Sequence, residues 1–385
     1  MTTQTKRIAI NFGGGYVPGL NAVITGAVLA ANEIGWETVG IRDGFDGLLF
    51  PERYPDGGLV VLAPPMVENL AGATGCILGT AGQSDPFHVR TINAENQVEE
   101  VDRSDELLGL INKERIEAVI SVVGTRALSI LWKLSRKGLK TVCVPKSAEN
   151  DIAATMLSFG FNSALSFLAD ILERCRQAAQ SARRIGVVEV LGEHAGWLAL
   201  QAGMAVCADA VLIPEIPYDL RKVAAKLREK MKAGRMYALV VVAEGAKPLA
   251  DLNLSRKASD PQMKAALSPG ATDNDGFHVI EGSGRVAAEV ALEIQRLTDQ
   301  EATPLVLGQL AKGGTPTVVD RQLGLGYGVG AVRALNDNQS GVMVVFQPPD
   351  LKFVPMTEAI NKVRTVPADS ELLQIARALD ISLGG

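Results

Sequence analysis

A chain of 385 residues is long enough for two lobes that each bury a core, because the fraction of surface removed from water grows with length. Its 43 acidic and 38 basic residues leave a net charge of −5, with no basic tract to follow a phosphodiester backbone, which argues against nucleic acid as a partner. Cys76, Cys143, Cys175 and Cys207 are scattered, with Cys143 and Cys207 among apolar neighbours, and suit reduced core thiols better than a disulfide frame or a zinc site. The N-terminal stretch Met1 to Arg7 has no apolar run behind a basic one, and no later apolar stretch is long enough to span a bilayer, so a cytoplasmic protein with no membrane partner is expected.

In chain order, short apolar runs predict strands at Arg7–Phe12, Thr38–Ile41, Ala118–Val123, Thr141–Val144, Ile185–Leu191, Ala210–Pro214, Ala238–Ala243, Leu305–Leu307 and Gly341–Phe346. Segments of 3.6-residue period between them predict helices, and the alternation is that of mostly parallel sheet covered on both faces. The clearest helix runs from Asn162 to Ala182, with Ala164, Phe167, Leu168, Ile171, Leu172 and Cys175 at core spacing, and reads as scaffold. From Lys247 to Gly284 the period gives way to Pro, Ser, Asp and Asn, with Ser268-Pro269-Gly270 and Asp273-Asn274-Asp275-Gly276 as turn signals. This stretch reads as a surface insertion, either an active-site flap or an oligomer contact.

Two segments carry chemistry by residue type alone. Gly13-Gly14-Gly15 follows the first strand and precedes a helix beginning near Gly19, so bare amides and a helix N-terminus are available to an anion. Pro145-Lys146-Ser147-Ala148-Glu149-Asn150-Asp151 puts two carboxylates and a lysine on the turn after an apolar strand. Moving a phosphoryl group needs a carboxylate to accept a hydroxyl proton and cations to neutralise the moving oxygens, and Glu149, Asp151 and Lys146 are of those types. Each segment also has a plain alternative: a glycine turn with no ligand, and an ordinary polar strand-to-helix turn.

The flanks add to these. Gly13-Gly14-Gly15-Tyr16-Val17-Pro18-Gly19-Leu20-Asn21, Gly40-Ile41-Arg42-Asp43-Gly44-Phe45, the central turn, Glu189-Val190-Leu191-Gly192-Glu193-His194-Ala195-Gly196-Trp197, Leu307-Gly308-Gln309-Leu310-Ala311-Lys312-Gly313-Gly314-Thr315-Pro316 and Asp320-Arg321 occur in an order and spacing that resembles the phosphofructokinase family, from about Arg7 to Val345. The resemblance implies two similar three-layer α/β lobes with mostly parallel sheets and an active site in the cleft between them. Residues 1–148, completed by about 309–350, would bind the donor, 149–308 the acceptor, and 351–385 would form a C-terminal helical extension. It also implies phosphoryl transfer from pyrophosphate or ATP to a hydroxyl of fructose 6-phosphate or a related sugar or polyol, with Mg2+ as cofactor, in a homodimer or homotetramer.

Carried over residue by residue, the resemblance makes Glu149 the general base, where the family has aspartate, and Asp151 the carboxylate that supports base and metal. Gly14, Gly15, Gly124, Thr125, Arg126 and Lys146 fall in the donor site, and Ser147, Arg184, Gly192, Glu193, Glu244 and Lys312 in the acceptor site. Several positions depart from the family. Tyr16 stands for a usually acidic residue, and Thr125 for an aspartate that helps hold magnesium. Gly82 and Gln83 fall where a donor-binding arginine belongs, leaving Arg90 as the nearest basic residue. Arg126 replaces the glycine of ATP users and would crowd a nucleotide, yet could fork onto a small anion; Lys146 matches pyrophosphate-type relatives. On the acceptor side Glu193 and Thr303 stand for arginines, Lys312 for a third, and Gln309 for histidine or tyrosine, while Arg184 and Glu244 are retained. The alternative is a catalytically impaired homologue that serves as a ligand-binding sensor or regulatory subunit.

Overall fold

Runs such as Ala118–Val123 and Ala238–Ala243 carry aliphatic residues without polar alternation, the pattern of strands covered on both faces, and every residue of both is buried. The computed structural model describes residues 5–80, 84–92, 96–249 and 284–385. In chain order the strands are β1 (Arg7–Phe12), β2 (Glu37–Ile41), β3 (Leu59–Leu62), β4 (Val89–Ile92), β5 (Val98–Val101), β6 (Ala118–Val123), β7 (Thr141–Ser147), β8 (Phe159–Gly160), β9 (Ile185–Val190), β10 (Ala210–Leu212), β11 (Ala238–Ala243), β12 (Ala302–Val306), β13 (Val342–Gln347) and β14 (Asp350–Pro355). The chain divides into two compact units, one of residues 1–148, 152–163 and 312–363, the other of residues 149–151, 164–311 and 364–385.

The sheet of the first unit has the order β14-β13-β7-β6-β1-β2-β3, with β8 against β7. Its interior pairs are parallel, and only the edge strands β3 and β14 run antiparallel to their neighbours. Strand β1 lies between β2 and β6, so the connections leave it in opposite directions; the carboxyl ends of β1 and β6 flank such a switch point, where open α/β sheets bind ligands. Two helices, Leu20–Glu33 and Val318–Asn336, pack backbone to backbone on this unit. A Cβ on Gly26 would come within 2.2 Å of the Leu325 carbonyl oxygen, and one on Gly328 within 2.3 Å of that of Val23, so the contact requires glycine on both sides. Strands β4 and β5 form a separate hairpin in which Arg90 pairs with Glu100 at 3.4 Å.

The second unit has a wholly parallel sheet of order β10-β11-β9-β12. Its core gathers Val187, Leu212, Val223, Leu227, Val240, Val242, Val290 and Ile294. Glu189, on β9, is 1% exposed and caps the helix Arg285–Thr298, accepting from the N–H groups of Gly284 at 3.0 Å and Ala287 at 2.9 Å. Burial raises its pKa and those N–H bonds oppose the rise.

Two expectations are corrected. The C-terminal segment is not a helical extension: Leu351 and Phe353 alternate with more polar positions in period two, and β14 pairs with β13. Beyond it stands one short helix, Glu371–Ala378, and Ser382 bridges to Ala210 in the second unit. Cys143 is buried, but Cys207 is exposed, because it sits at φ 48° in the turn that ends the helix Trp197–Ala205. The expected insertion lies, from residue 250 to 283, outside the described residues, as do Gly82 and Gln83.

Candidate active site

In the first unit the expected donor residues gather at the carboxyl ends of β1, β6 and β7. Gly14 and Gly15 hold φ values of 77° and 79°, which only glycine adopts without strain. Gly124 caps the helix Thr125–Arg136 without a side-chain bond, so the N-terminus of the helix stands at this end of the sheet, a place suited to an anion. Gly14 lies close to it, since a Cβ there would stand 3.8 Å from the Gly124 nitrogen. Thr125 is half-buried and Arg126 exposed on the first turn of that helix.

Lys146 is the centre of this group. It is 2% exposed, and its Nζ donates to the carbonyl oxygens of Gly14, at 2.9 Å, and of Gly15. Burial lowers its pKa to about 7, with the Lys312 charge adding to the fall and Cys76 opposing it. Lys312, expected on the acceptor side, is therefore a neighbour of Lys146. Tyr16 ties the glycine loop to two others: its hydroxyl accepts from the Gly75 N–H at 3.0 Å and donates to the Gly314 carbonyl at 3.3 Å. Ser147 ends β7, and its carbonyl accepts from the Ser158 hydroxyl at 3.1 Å. Arg90, the basic residue left near the missing arginine, is engaged on the β4–β5 hairpin.

In the second unit Gly192, Glu193 and Glu244 come together where β9 and β11 end. Glu244 is 2% exposed and accepts from the Gly192 N–H at 3.2 Å, while the Gly192 carbonyl accepts from Gly245 at 3.1 Å. Gly245 has no room for a side chain, as a Cβ would stand 1.9 Å from the Glu193 carbonyl oxygen. Glu193 keeps its side chain mostly covered, 3.8 Å from His194. Arg184 does not join them. It precedes β9 and sits at the opposite end of the same parallel sheet, about 20 Å away at strand rise, beside Glu301 at 3.7 Å.

Glu149 and Asp151 are half-buried members of one turn in this unit, on either side of Asn150. The Asp151 carbonyl accepts from the Arg364 N–H at 2.7 Å, a contact that nothing in the sequence announced. Among the described residues no three His, Cys, Asp or Glu side chains are grouped to hold a metal ion. Magnesium is usually held by one or two carboxylates together with phosphate oxygens and water. The carboxylates of this turn fit it in that way, as companions of a bound phosphate and not as a closed cage.

A parallel sheet that ends in a glycine loop beside a buried lysine is of the α/β class that binds phosphate ligands at its strand ends. The family model described as Phosphofructokinase matches residues 7–335, and the chain belongs to the phosphofructokinase family. An ATP-dependent 6-phosphofructokinase of Chloroflexus aurantiacus is 34% identical over 385 residues, covering 100% of this chain and 99% of its own. ATP-dependent 6-phosphofructokinase 3 of Streptomyces coelicolor is 35% identical over 362 residues, 94% of this chain and 96% of its own. The crystal structure of a pyrophosphate-dependent phosphofructokinase of Nitrosospira multiformis superposes with a TM-score of 0.74 at 18% identity, covering 99% and 93% of the two chains, a likeness of fold.

Proposed function

We propose that the protein moves a phosphoryl group from pyrophosphate to a hydroxyl of fructose 6-phosphate or a related sugar. The observation that carries this is Lys146, a buried ammonium on the carbonyls of the glycine loop with the cation of Lys312 nearby. Compact positive charge close to a helix N-terminus suits a small polyanion. Arg126, exposed on the first turn of that helix, supplies a guanidinium that can fork onto the same ligand.

Glu149 takes the proton of the attacking hydroxyl, and Glu244, held by the Gly192 N–H, is oriented to accept from sugar hydroxyls. Magnesium, when bound, neutralises charge on the phosphate oxygens, and Asp151 is the carboxylate to hold it. Arg184, at the far end of its sheet from Glu244, supports a role on the acceptor phosphate of a neighbouring subunit, hence a homodimer or homotetramer. Among the described residues no helix is long and apolar enough to cross a membrane, which is compatible with work in cytoplasmic carbohydrate metabolism.

ATP is the second reading of the donor, favoured by the names of relatives that match this chain over nearly their whole length. Phosphorus NMR of the purified protein with magnesium, fructose 6-phosphate and either donor separates the two. Pyrophosphate turnover to orthophosphate and a sugar bisphosphate is expected, and turnover of ATP alone would favour the second reading. Ligand-induced thermal stabilisation without turnover of either would sink the transferase and support a sensor or regulatory subunit.

A further inference from the structure

The turn that carries Glu149 and Asp151 is held in an uncommon shape. Asn150, between them, has a φ of 56° and is 3% exposed. A left-handed residue without a free choice of neighbours persists where the surroundings over-determine it. Part of those surroundings comes from the C-terminal segment. Arg364, 214 residues after Asn150, donates from its Nη1 to the Asn150 carbonyl at 3.2 Å, and its backbone N–H donates to the Asp151 carbonyl at 2.7 Å.

Arg364 is itself held. Its guanidinium lies over the Trp197 ring, 4.1 Å from the centroid, and the Trp197 Nε1 donates to the Arg364 carbonyl at 2.7 Å. Two residues on, the Val366 N–H donates to Glu215 at 2.8 Å, and Glu215 also accepts from the Gly196 N–H, which leads into the helix of Trp197. A cation over an indole face gains from desolvation, and a planar guanidinium can stack and donate at once where an ammonium cannot. Residue 364 lies beyond the 7–335 span matched by the family model.

We propose that Arg364, seated on Trp197, is a positioning residue for phosphoryl transfer, fixing the Glu149–Asp151 turn in the backbone geometry its two carboxylates need. The role in transfer rests on the transferase reading above; the hold on the turn does not. Full-length wild type, Arg364→Met and Arg364→Lys are compared by steady-state kinetics, thermal melting and hydrogen exchange of the peptide covering residues 148–153. In Arg364→Met, kcat should fall by about tenfold to a hundredfold with KM for the sugar within about twofold. Exchange in the turn should quicken by about tenfold while β9 and β11 keep wild-type protection, and Arg364→Lys should fall between.

Unchanged exchange in the turn overturns the proposal, and so does an equal acceleration in β9 and β11, which would mark general loosening. A wild type without turnover removes the transferase reading, and exchange alone then decides the clamp. If Arg364→Met does not fold, Trp197→Phe keeps an aromatic face and loses the Nε1 anchor. It should quicken exchange in the same peptide, and no change there is equally fatal.

Discussion

Lys146 donates to the carbonyl oxygen of Gly14 across 2.9 Å, though 132 residues separate them in the chain. The bond closes β7 onto the loop after β1 and leaves a lysine with 2% exposure and a pKa lowered, by burial first, to about 7. In the unfolded chain the same group titrates near its ordinary 10.5. Below pH 7 both states are protonated and the folded one carries the cost of the buried charge. Between the two values the unfolded state binds the extra proton, so stability rises with pH by up to about 1.4 kcal/mol per unit. Urea unfolding between pH 6.5 and 9 should show this rise in wild type and lose that component in Lys146→Met; equal slopes would refute the buried-ammonium account. A polyanion bound beside Lys146 should restore its proton, so calorimetry at pH 8 in two buffers should register proton uptake with pyrophosphate.

Arg126 opens its helix, exposed, next to Gly124 and the glycine loop. If its guanidinium selects a small donor, Arg126→Gly should lower kcat/KM for pyrophosphate and raise it for ATP. A shift of the ratio by about tenfold to a hundredfold corresponds to one charge-assisted hydrogen bond of about 1.5–3 kcal/mol. A ratio that stays put, measured by competing the two donors, rules out this role.

Glu149 offers a test of whether the site is built around its longer side chain. Restoring the family's residue with Glu149→Asp draws the carboxylate back by about 1 Å, a displacement that can cost on the order of a hundredfold in rate. A turn fixed at Asn150 and Asp151 cannot follow it. We expect kcat to fall by about that factor with the melting temperature nearly unchanged; a rise in kcat would mark the natural site as impaired.

The backbone contact at Gly26 predicts a stability effect far from any ligand. Gly26→Ala thrusts a methyl to within 2.2 Å of the Leu325 carbonyl oxygen, and the helix Val318–Asn336 must move. Overpacking of this kind costs about 1–3 kcal/mol, readable as a lower urea midpoint with an unchanged m-value. A neutral substitution would show that the helices have slack.

Local patterning announced the sheets because their strands are apolar on both faces: β1, β6 and β11 fall on the runs that predict them. Strand β14 escaped because its alternation, Leu351 and Phe353 among charged residues, is short and follows a Pro-Pro pair. The glycine loop and Lys146 were legible as residue types, yet their contact was not, since it depends on β1 and β7 flanking β6 in the sheet. Tyr16 was visible only as a departure, and its bonds to Gly75 and Gly314 require three loops to meet. Arg364 left no trace because arginine beside a distant tryptophan has no spacing signature.

On the proposed acceptor side, Glu193 stands where the family resemblance expects an arginine. Its side chain is 20% exposed, and Gly245 packs against its own carbonyl, so the backbone that would present an arginine is fixed in place. An anion there repels a phosphorylated sugar, whereas a guanidinium would donate to the phosphate oxygens. Glu193→Arg should therefore tighten fructose 6-phosphate binding by about tenfold to a hundredfold, the worth of one charge-assisted bond of about 1.5–3 kcal/mol. Unphosphorylated fructose, bound through Glu244 and its neighbours, should gain nothing. Isothermal titration with both sugars separates the effects, and equal gains would show that Glu193 acts by packing and not by charge.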